Sequence, residues 1–303
     1  MNTKNKIYAT CAALIAQIIF GFSFMFTKTA QNFAPPMTVI ANRYMVAFIC
    51  FALILIFNRP KIKINKNIWK LALMSLFQPI LYFIFESYGI AMTTSAFSSV
   101  MIALIPIVSM ISGIFVLKEL PSVFQYIFSA LSVIGVTVMA YSGTVEGYVT
   151  PLGIIMLFLA VLSSVGYNIC SRKFSKEFSV TERTLVMTFI GLVFFTTVSF
   201  IENINAPINI IKPFFNTSYT LSVLYLGVVS SFIAFYLLNY ANTHLPVAKT
   251  TVFSNFTTVV SVIAGSIFLD EKITLITIIS TIMIIIGIAG VQLLSVKEKS
   301  ESN

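Results

Sequence analysis

Residues 95–116 read SAFSSVMIALIPIVSMISGIFV, a run of 22 residues without a charged side chain. A helix needs roughly 17–25 mainly apolar residues to cross the hydrocarbon core of a bilayer, so this run is long enough to span a membrane. Ser95, Ser99 and Ser109 interrupt the apolar residues, as expected for a helix that packs against other helices. A membrane-spanning helix is therefore the predicted structure of this run.

The composition of the whole chain agrees with that interpretation. Of the 303 residues, 58% are hydrophobic and only 10% are charged, whereas soluble domains are typically about 45–50% apolar and about 25% charged. A water-soluble enzyme of this composition is excluded, because it would have too little charge to cover its surface. The net charge of +9 does not indicate nucleic-acid binding, since the basic residues stand in short clusters between apolar runs.

Ten apolar segments of membrane-spanning length follow one another along the chain. Several begin at a proline, where the missing N–H of the first helical residue costs nothing. The sequence therefore predicts an all-α integral membrane protein with ten transmembrane helices. Their expected bounds are Ile7–Ala30, Pro36–Phe57, Ile68–Ile90, Ser95–Val116, Pro121–Tyr141, Pro151–Cys170, Thr181–Ile201, Thr217–Tyr240, Pro246–Leu269 and Ile273–Leu294.

The basic residues divide unevenly between the two ends of these helices. If the N-terminus is cytoplasmic, fifteen Lys and Arg side chains fall on the cytoplasmic side, and three fall on the other side (Lys28, Lys212 and Lys272). Cytoplasmic loops of membrane proteins carry such an excess of Lys and Arg. The sequence thus predicts a multi-pass protein of the cell membrane with both termini in the cytoplasm.

The chain also contains an internal repeat. Residues 88–138 align without a gap to residues 240–290 at an offset of 152, and Gly113, Glu119 and Gly135 each meet an identical residue. Chance similarity between apolar runs does not place two glycines and a glutamate in register. The sequence therefore predicts a duplicated chain.

The duplication divides the chain into five-helix repeats at residues 1–145 and 146–303. Because five is an odd number, the second repeat is expected to lie inverted relative to the first. Inverted repeats are typical of secondary transporters, whose substrate site lies near the membrane midplane between the repeats. Two antiparallel copies offer the same packing alternatives to both sides, so the repeat predicts alternating access to a central cavity.

Several short motifs carry a resemblance to a known family. They are residues 20–28 (FGFSFMFTK), residues 91–97 (AMTTSAF), and residues 117–121 (LKELP) followed by Gly135; the last recurs as residues 269–272 (LDEK) followed by Gly287. On these motifs the chain resembles the EamA-like family of the drug/metabolite transporter superfamily over nearly its whole length. It departs from the family pattern at Phe20, where a Trp is usual, and at Thr258, the counterpart of Pro106 in the second half.

The resemblance implies a bundle of five plus five inverted helices around a cavity lined mainly by helices 1, 3, 4, 6, 8 and 9. It also implies carriage of small metabolites, often the export of amino acids or related compounds. The substrates of the family are varied, so the resemblance alone does not select one.

Polar and aromatic side chains at helical spacing mark the helix faces expected to line this cavity. A single Ser or Thr is as easily explained by a hydrogen bond within its own helix. Stripes on six helices together indicate a polar cavity instead. The candidate substrate-binding residues are Gln17, Phe24, Lys28, Gln78, Tyr82, Glu86, Tyr167, Asn168, Tyr236, Asn239 and Ser254.

Glu86 is the most informative of these candidates, because placing a carboxylate at the centre of a membrane span costs at least about 2.5–3.5 kcal/mol. Three roles stay open for it: an ion pair with Arg43 at a comparable depth, binding of a substrate ammonium group, or exchange of a coupling proton. Lys28 either extends to the membrane interface or binds a substrate carboxylate. Glu119 precedes a helix start, where its negative charge is expected to cap that helix.

Other classes of function find little support in the sequence. The three cysteines lie singly and the chain has one histidine, so no metal or other cofactor is predicted. No ATP-binding GxxxxGK[ST] loop is present, so gradients must supply the energy. The spans contain neither the paired acid and base of an enzyme nor the repeated polar ring of a channel.

The expected partners are therefore a small-molecule substrate and the lipid bilayer. Aromatic, hydroxyl and amide side chains around one carboxylate suit an amino acid or a related compound. The runner-up substrate is a lipophilic cation, held by Glu86 and by aromatic rings through cation–π attraction.

Overall fold

The computed structural model is a bundle of long helices, and it describes residues 3–58, 62, 67–93, 95–141, 149–268, 274–294 and 297–298. Within these ranges, nine helices are long and apolar enough to cross a membrane. The remaining predicted segment, Pro246–Leu269, is the ninth in order, and its described part contains two shorter helices joined by a 3₁₀ turn. The prediction of a ten-helix integral membrane protein is confirmed.

The first five spans contain seven helices, because two spans are broken. The helices are α1 (Thr3–Gln31), α2 (Pro36–Asn58), α3 (Trp69–Ser75), α4 (Tyr82–Ala91), α5 (Ser95–Ile102), α6 (Ile105–Leu117) and α7 (Val123–Tyr141). A π-helical segment, Leu76–Leu81, joins α3 to α4 within the third span. We call the end of the bundle where α1 begins the near end, and the opposite end the far end.

The second five spans repeat this layout. The helices are α8 (Pro151–Phe174), α9 (Val180–Glu202), α10 (Thr217–Leu224), α11 (Phe235–His244), α12 (Val247–Thr251), α13 (Phe256–Phe268) and α14 (Leu275–Leu293). A π-helical segment, Tyr225–Ala234, joins α10 to α11, and a 3₁₀ turn, Val252–Asn255, joins α12 to α13. Two short 3₁₀ helices, Pro207–Ile210 and Lys212–Phe215, follow α9 at the far end.

A short two-stranded sheet lies at the near end. Strand β1 (Glu119–Leu120) pairs antiparallel with β2 (Lys297–Glu298), and Glu119 stands opposite Glu298 in the register. The segment beyond α14 therefore contacts the turn between the fourth and fifth spans.

Two prolines break spans beside the centre of the bundle. Proline has no N–H and restricts the residue before it to extended backbone. Gln78, which precedes Pro79, accordingly has a φ of −146° and a ψ of 120°. Pro106 stands in the first turn of α6, after the break that ends α5 at Ile102. The two breaks interrupt the helical backbone within the third and fourth spans.

Glycines that the sequence repeats in both halves allow α7 and α14 to touch. A Cβ atom added to Gly287 would lie 2.6 Å from the carbonyl oxygen of Phe128, and one added to Gly135 would lie 2.9 Å from that of Ser280. Small residues permit this backbone-to-backbone approach between membrane helices. The close packing explains why each half carries a glycine at the same position.

The two halves interleave rather than lie side by side. Helix α1 packs against α10, α11 and α13 of the second half, and α4 packs against α8. The chain enters α8 at the far end, where Thr150 donates its backbone N–H to the carbonyl of Met92. The space at the centre is therefore bounded by helices from both halves.

Candidate substrate cavity

A cavity of about 600 Å³ lies within the bundle, a size within the usual range for small-molecule sites. Its wall runs from Asn168, in the near-end half of α8, and Gln17, midway along α1, to Lys28 and Pro36 at the far end. The first, third, fourth, sixth, eighth and ninth spans all contribute to the wall. The second span contributes as well, which the sequence did not indicate.

Seven of the eleven predicted binding residues come together on this wall. They are Gln17, Lys28, Gln78, Tyr82, Glu86, Asn168 and Ser254. The side chain of Phe24 lies outside the described residues.

Glu86 is held by its neighbour one helical turn away in α4. The hydroxyl of Tyr82 donates a hydrogen bond of 2.7 Å to Oε1 of Glu86. The other carboxylate oxygen, Oε2, has no hydrogen-bond partner in the described part of the chain. One oxygen is therefore fixed and the other is available to a ligand in the cavity.

Arg43 extends from α2 to the same cavity and is only 6% exposed. Its Nε donates to the hydroxyl of Ser231 at 2.8 Å, and its Nη2 donates to the hydroxyl of Ser230 at 3.3 Å. The guanidinium carbon lies 5.0 Å from the ring centre of Phe83, a cation–π distance. The ion pair between Arg43 and Glu86 that the sequence left open is not formed, because each side chain has other partners.

The middle of the cavity is lined by amides and hydroxyls. Gln17 accepts a hydrogen bond of 2.8 Å from the hydroxyl of Thr257, across the two halves. Asn168 accepts one of 3.0 Å from the amide of Asn242. The hydroxyl of Ser254 has no hydrogen-bond partner among the described residues. This part of the wall is therefore polar, and its amides are fixed in place by hydrogen bonds.

Several cavity residues were missed by the sequence analysis. Ser23, Thr27 and Gln31 line the cavity from α1, and their spacing of four residues was a usable signal, since residues four apart share one helix face. Ser230 and Thr251 also contribute. Their positions depend on the irregular segments beside them, so helical spacing could not identify them.

Three predicted binding residues do not line the cavity. Tyr167 is fully buried, and its hydroxyl donates to Oδ1 of Asn239 at 3.2 Å. Asn239 also accepts from Ser171 and donates to Thr184. These side chains hold α8, α9 and α11 together, so their placement in the cavity was wrong.

Tyr236, the third of them, is displaced by the π-helical segment that precedes α11. A π-helix makes i→i+5 hydrogen bonds, so the segment changes the rotational phase of every later side chain. As a result Phe235 and Leu238 line the cavity, while Tyr236 packs near Phe232 and is 36% exposed. Regular helical spacing had placed Tyr236 and Asn239 on the wall instead.

A second polar cluster closes the bundle between the cavity and the near end. Its centre is Arg183 of α9, which is fully buried. Nη1 donates to the carbonyl and the hydroxyl of Ser171, and Nη2 donates to the carbonyl of Asn239 and the hydroxyl of Thr243. Four acceptors from α8 and α11 thus surround the two terminal nitrogens of this guanidinium.

An ion pair connects the two halves at this end. Arg172 of α8 donates from Nε to Oε1 of Glu119 at 3.1 Å, and from Nη1 to the carbonyl of Thr243 at 2.7 Å. Oε2 of Glu119 accepts the backbone N–H of Val247 at 2.8 Å. Glu119 therefore caps α12 in the other half, whereas the sequence predicted a cap on the helix that follows it. Its counterpart Glu271 lies outside the described residues.

A more exposed ion pair at the near end joins α3 to the turn after α8. Lys70 donates to both carboxylate oxygens of Glu177, at 2.6 and 2.8 Å. These hydrogen bonds hold the pKa of the Glu177 carboxyl below its ordinary value. In the described ranges, no group of three His, Cys, Asp or Glu side chains is placed to bind a metal ion.

Known proteins resemble this chain over almost its full length. It is 31% identical over 286 residues to "Uncharacterized transporter YcxC" of Bacillus subtilis, covering 93% of this chain and 92% of that protein. It is 24% identical to an "Uncharacterized transporter" of Archaeoglobus fulgidus, covering 89% and 93%. A solved crystal structure superposes with a TM-score of 0.78 at 17% identity, covering 95% of this chain and 99% of that one, which supports the fold.

The family comparison agrees with the repeat seen in the sequence. The model of the EamA-like transporter family, a member of the drug/metabolite transporter superfamily, matches twice, at residues 7–141 and 151–293. Each match covers one set of five spans, and the resemblance inferred from the short motifs is confirmed. The chain belongs to the EamA-like transporter family.

Proposed function

We propose that this membrane transporter exports amino acids or related zwitterionic metabolites by gradient-driven alternating access. The observation that carries the proposal is the cavity carboxylate Glu86, which has one oxygen available to a ligand. A substrate ammonium group would bind there. Lys28 and Arg43, in the same cavity, provide positive charge for the substrate carboxylate, and Phe83 and Phe235 provide apolar surface for its side chain.

The excess of Lys and Arg at the near end supports a cytoplasmic location for that end, in the plasma membrane, with both termini inside. The cavity wall reaches the far end, while the clusters around Arg183 and Glu119 occupy the near end. We infer from this arrangement a state open towards the far end, which the proposed orientation places outside the cell. Export also requires the opposite state, and a second, inverted repeat of the same fold would provide it by exchanging conformations with the first.

The alternative substrate, a lipophilic cation, is less well supported. A cation bound to Glu86 would share the cavity with Arg43 and Lys28, and like charges repel strongly where little water screens them. A zwitterion, in contrast, has an ammonium group for Glu86 and a carboxylate for the cavity cations. Glu86 is also the cavity carboxylate that would carry a coupling proton.

The direct test is counterflow into proteoliposomes loaded with an unlabelled amino acid, with uptake of the labelled compound measured. We expect accumulation with the wild-type protein and a loss of at least about tenfold with Glu86→Gln. The matched control is Glu177→Gln, which removes a carboxylate outside the cavity and should leave uptake unchanged. Accumulation of lipophilic cations without any amino acid would refute the proposal.

A further inference from the structure

We propose that Arg43 is the specificity-determining residue of the cavity: its guanidinium binds a carboxylate of the substrate, so the transported metabolite must carry one. This inference rests on the proposed transport function and assigns the part of the cavity that binds the anionic group of the substrate. It separates Arg43 from Lys28, which lies at the exposed far end of the cavity.

Arg43 carries a buried charge without an ionic partner among the residues that the structure describes. Only two of its five N–H groups are engaged within the described part of the chain, and both acceptors are neutral serine hydroxyls. Arginine is almost never this buried unless it is paired. The contrast with Arg183 is informative, because four acceptors surround the terminal nitrogens of that buried arginine, away from the cavity.

The guanidinium is also held in place before any ligand binds. The π-helical segment Tyr225–Ala234 presents two consecutive serines to it, and Phe83 lies beneath it. Gly227 permits the segment to approach α2, since a Cβ atom there would lie 2.9 Å from the carbonyl oxygen of Arg43. π-Helical turns are frequent at functional sites, and this one fixes one edge of the guanidinium.

The remaining N–H groups of Arg43 suit a carboxylate. A planar guanidinium donates two parallel hydrogen bonds to a carboxylate, which a lysine ammonium cannot reproduce. Glu86 lies on the same wall and within Coulombic reach of Arg43. A dianionic phosphate ester would be repelled by that carboxylate, whereas an α-amino acid presents one group to each charge.

Four probe ligands with one side chain separate these contributions: L-phenylalanine, L-phenylalaninamide, phenethylamine and 3-phenylpropionate. Their affinities for the purified full-length protein are measured from ligand-dependent rises in melting temperature, since a ligand that binds only the folded state stabilises it by mass action. We expect the amide and the amine to bind at least about tenfold more weakly than the amino acid, because each lacks the carboxylate.

Arg43→Gln should reduce the preference for amino acid over amide to nearly one, and Arg43→Lys, which keeps the charge and loses the bidentate geometry, should reduce it only in part. Lys70→Gln is the control: it removes a cation outside the cavity and should retain the preference. Should Arg43→Gln fold poorly, Arg43→Lys keeps the positive charge and still removes the planar fork. The ratio of two affinities within one variant also does not respond to a general loss of stability.

The inference is overturned by equal binding of amino acid and amide by the wild-type protein, or by a carboxylate preference that survives in both Arg43 variants. Stabilisation by a phosphate ester in place of the carboxylates would overturn it as well. Carboxylate-selective binding without counterflow would instead remove the proposed transport function and leave the assignment of Arg43 intact. Counterflow without carboxylate-selective binding would refute the assignment of Arg43 and leave the proposed transport function intact.

Discussion

Replacing Glu119 by glutamine should open the near end of the bundle more often. The carboxylate accepts one hydrogen bond from Arg172 and one from the backbone N–H of Val247, so it connects both halves where the cavity is closed. Glutamine keeps the size of the side chain and removes its charge. If transport proceeds by alternating access, these contacts break each time the near end opens.

The magnitude is worked from the contacts of Glu119 with Arg172 and with Val247. A hydrogen bond to a charged group contributes about 1.5–3 kcal/mol, whereas a neutral one contributes about 0.5–1.5 kcal/mol. The side chains of Arg172 and Glu119 are 18% and 4% exposed, so screening by water is limited. A loss of about 1 kcal/mol for each contact gives about 2 kcal/mol, which shifts the opening equilibrium by about 30-fold.

Accessibility of a cysteine in the cavity measures this equilibrium. Ser164 lines the cavity, so Ser164→Cys, in a background with Cys11, Cys50 and Cys170 replaced by alanine, reports access. Labelling by a membrane-impermeant maleimide is followed in inside-out vesicles, where the reagent arrives from the near end if that end is cytoplasmic, as proposed. When the near end opens rarely, and opens and closes faster than the maleimide reacts, the labelling rate is proportional to the opening equilibrium. We therefore expect that rate to rise about 30-fold when Glu119→Gln is added.

The control is Glu177→Gln, which breaks an ion pair at the same end whose side chains are 21% and 38% exposed. Exposed pairs contribute about 0–1 kcal/mol, so labelling should hardly change. An unchanged rate in Glu119→Gln, or an equal rise in both variants, would refute the reasoning. Size-exclusion chromatography establishes that each variant remains folded.

Three further predictions concern packing and the cavity wall. Gly287→Ala should lower the free energy of unfolding by about 1–3 kcal/mol, because its Cβ would meet backbone atoms of α7. The control is Gly113→Ala, which should not lower the melting temperature, because its Cβ would meet nothing within 4 Å. Arg183→Gln should cost about 3 kcal/mol or more, because buried carbonyls and hydroxyls lose a charged donor, and thermal unfolding in detergent measures the loss. Tyr82→Phe should raise the KM for counterflow by about two- to tenfold, since the cavity carboxylate loses its hydrogen bond. Tyr236→Phe, outside the cavity, should leave that KM unchanged.

The membrane fold could be predicted from the sequence because it depends on features that are local or repeated. Apolar runs of spanning length are set by the thickness of the bilayer, and the observed helices follow the predicted segments closely. The repeated glycines Gly135 and Gly287 have a direct structural cause in the contact between α7 and α14. The positions of Gln17, Tyr82 and Glu86 on the cavity wall followed from helical spacing in the same way.

Regular spacing failed where the helices are irregular. The π-helical segment Tyr225–Ala234 changes which face of α11 meets the cavity. No residue type within this segment predicts the irregularity, whereas a proline does so in the third span. Phe235 therefore lines the cavity in place of Tyr236. The same segment presents Ser230 and Ser231 to Arg43. One backbone irregularity therefore explains both the wrong placement of Tyr236 and the failure to identify Ser230.

Three arginines of this bundle show why the role of a buried charge depends on its partners. In the sequence, Arg43, Arg172 and Arg183 are each a single arginine in or beside an apolar segment. Arg183 donates to four acceptors on α8 and α11, which makes it part of the framework. Arg172 pairs with Glu119 across the two halves, so its contact breaks if the halves separate at the near end.

Arg43 alone of these three combines burial, a place on the cavity wall and acceptors that carry no charge. Its serine partners satisfy part of its hydrogen-bonding capacity and none of its charge, and the nearby Glu86 is held by Tyr82 instead. A substrate that presents a carboxylate to Arg43 and an ammonium group to Glu86 would complete both sites at once. Because neither charge is neutralised by a direct contact within the described part of the chain, we expect their shared cavity to select a ligand that carries both charges.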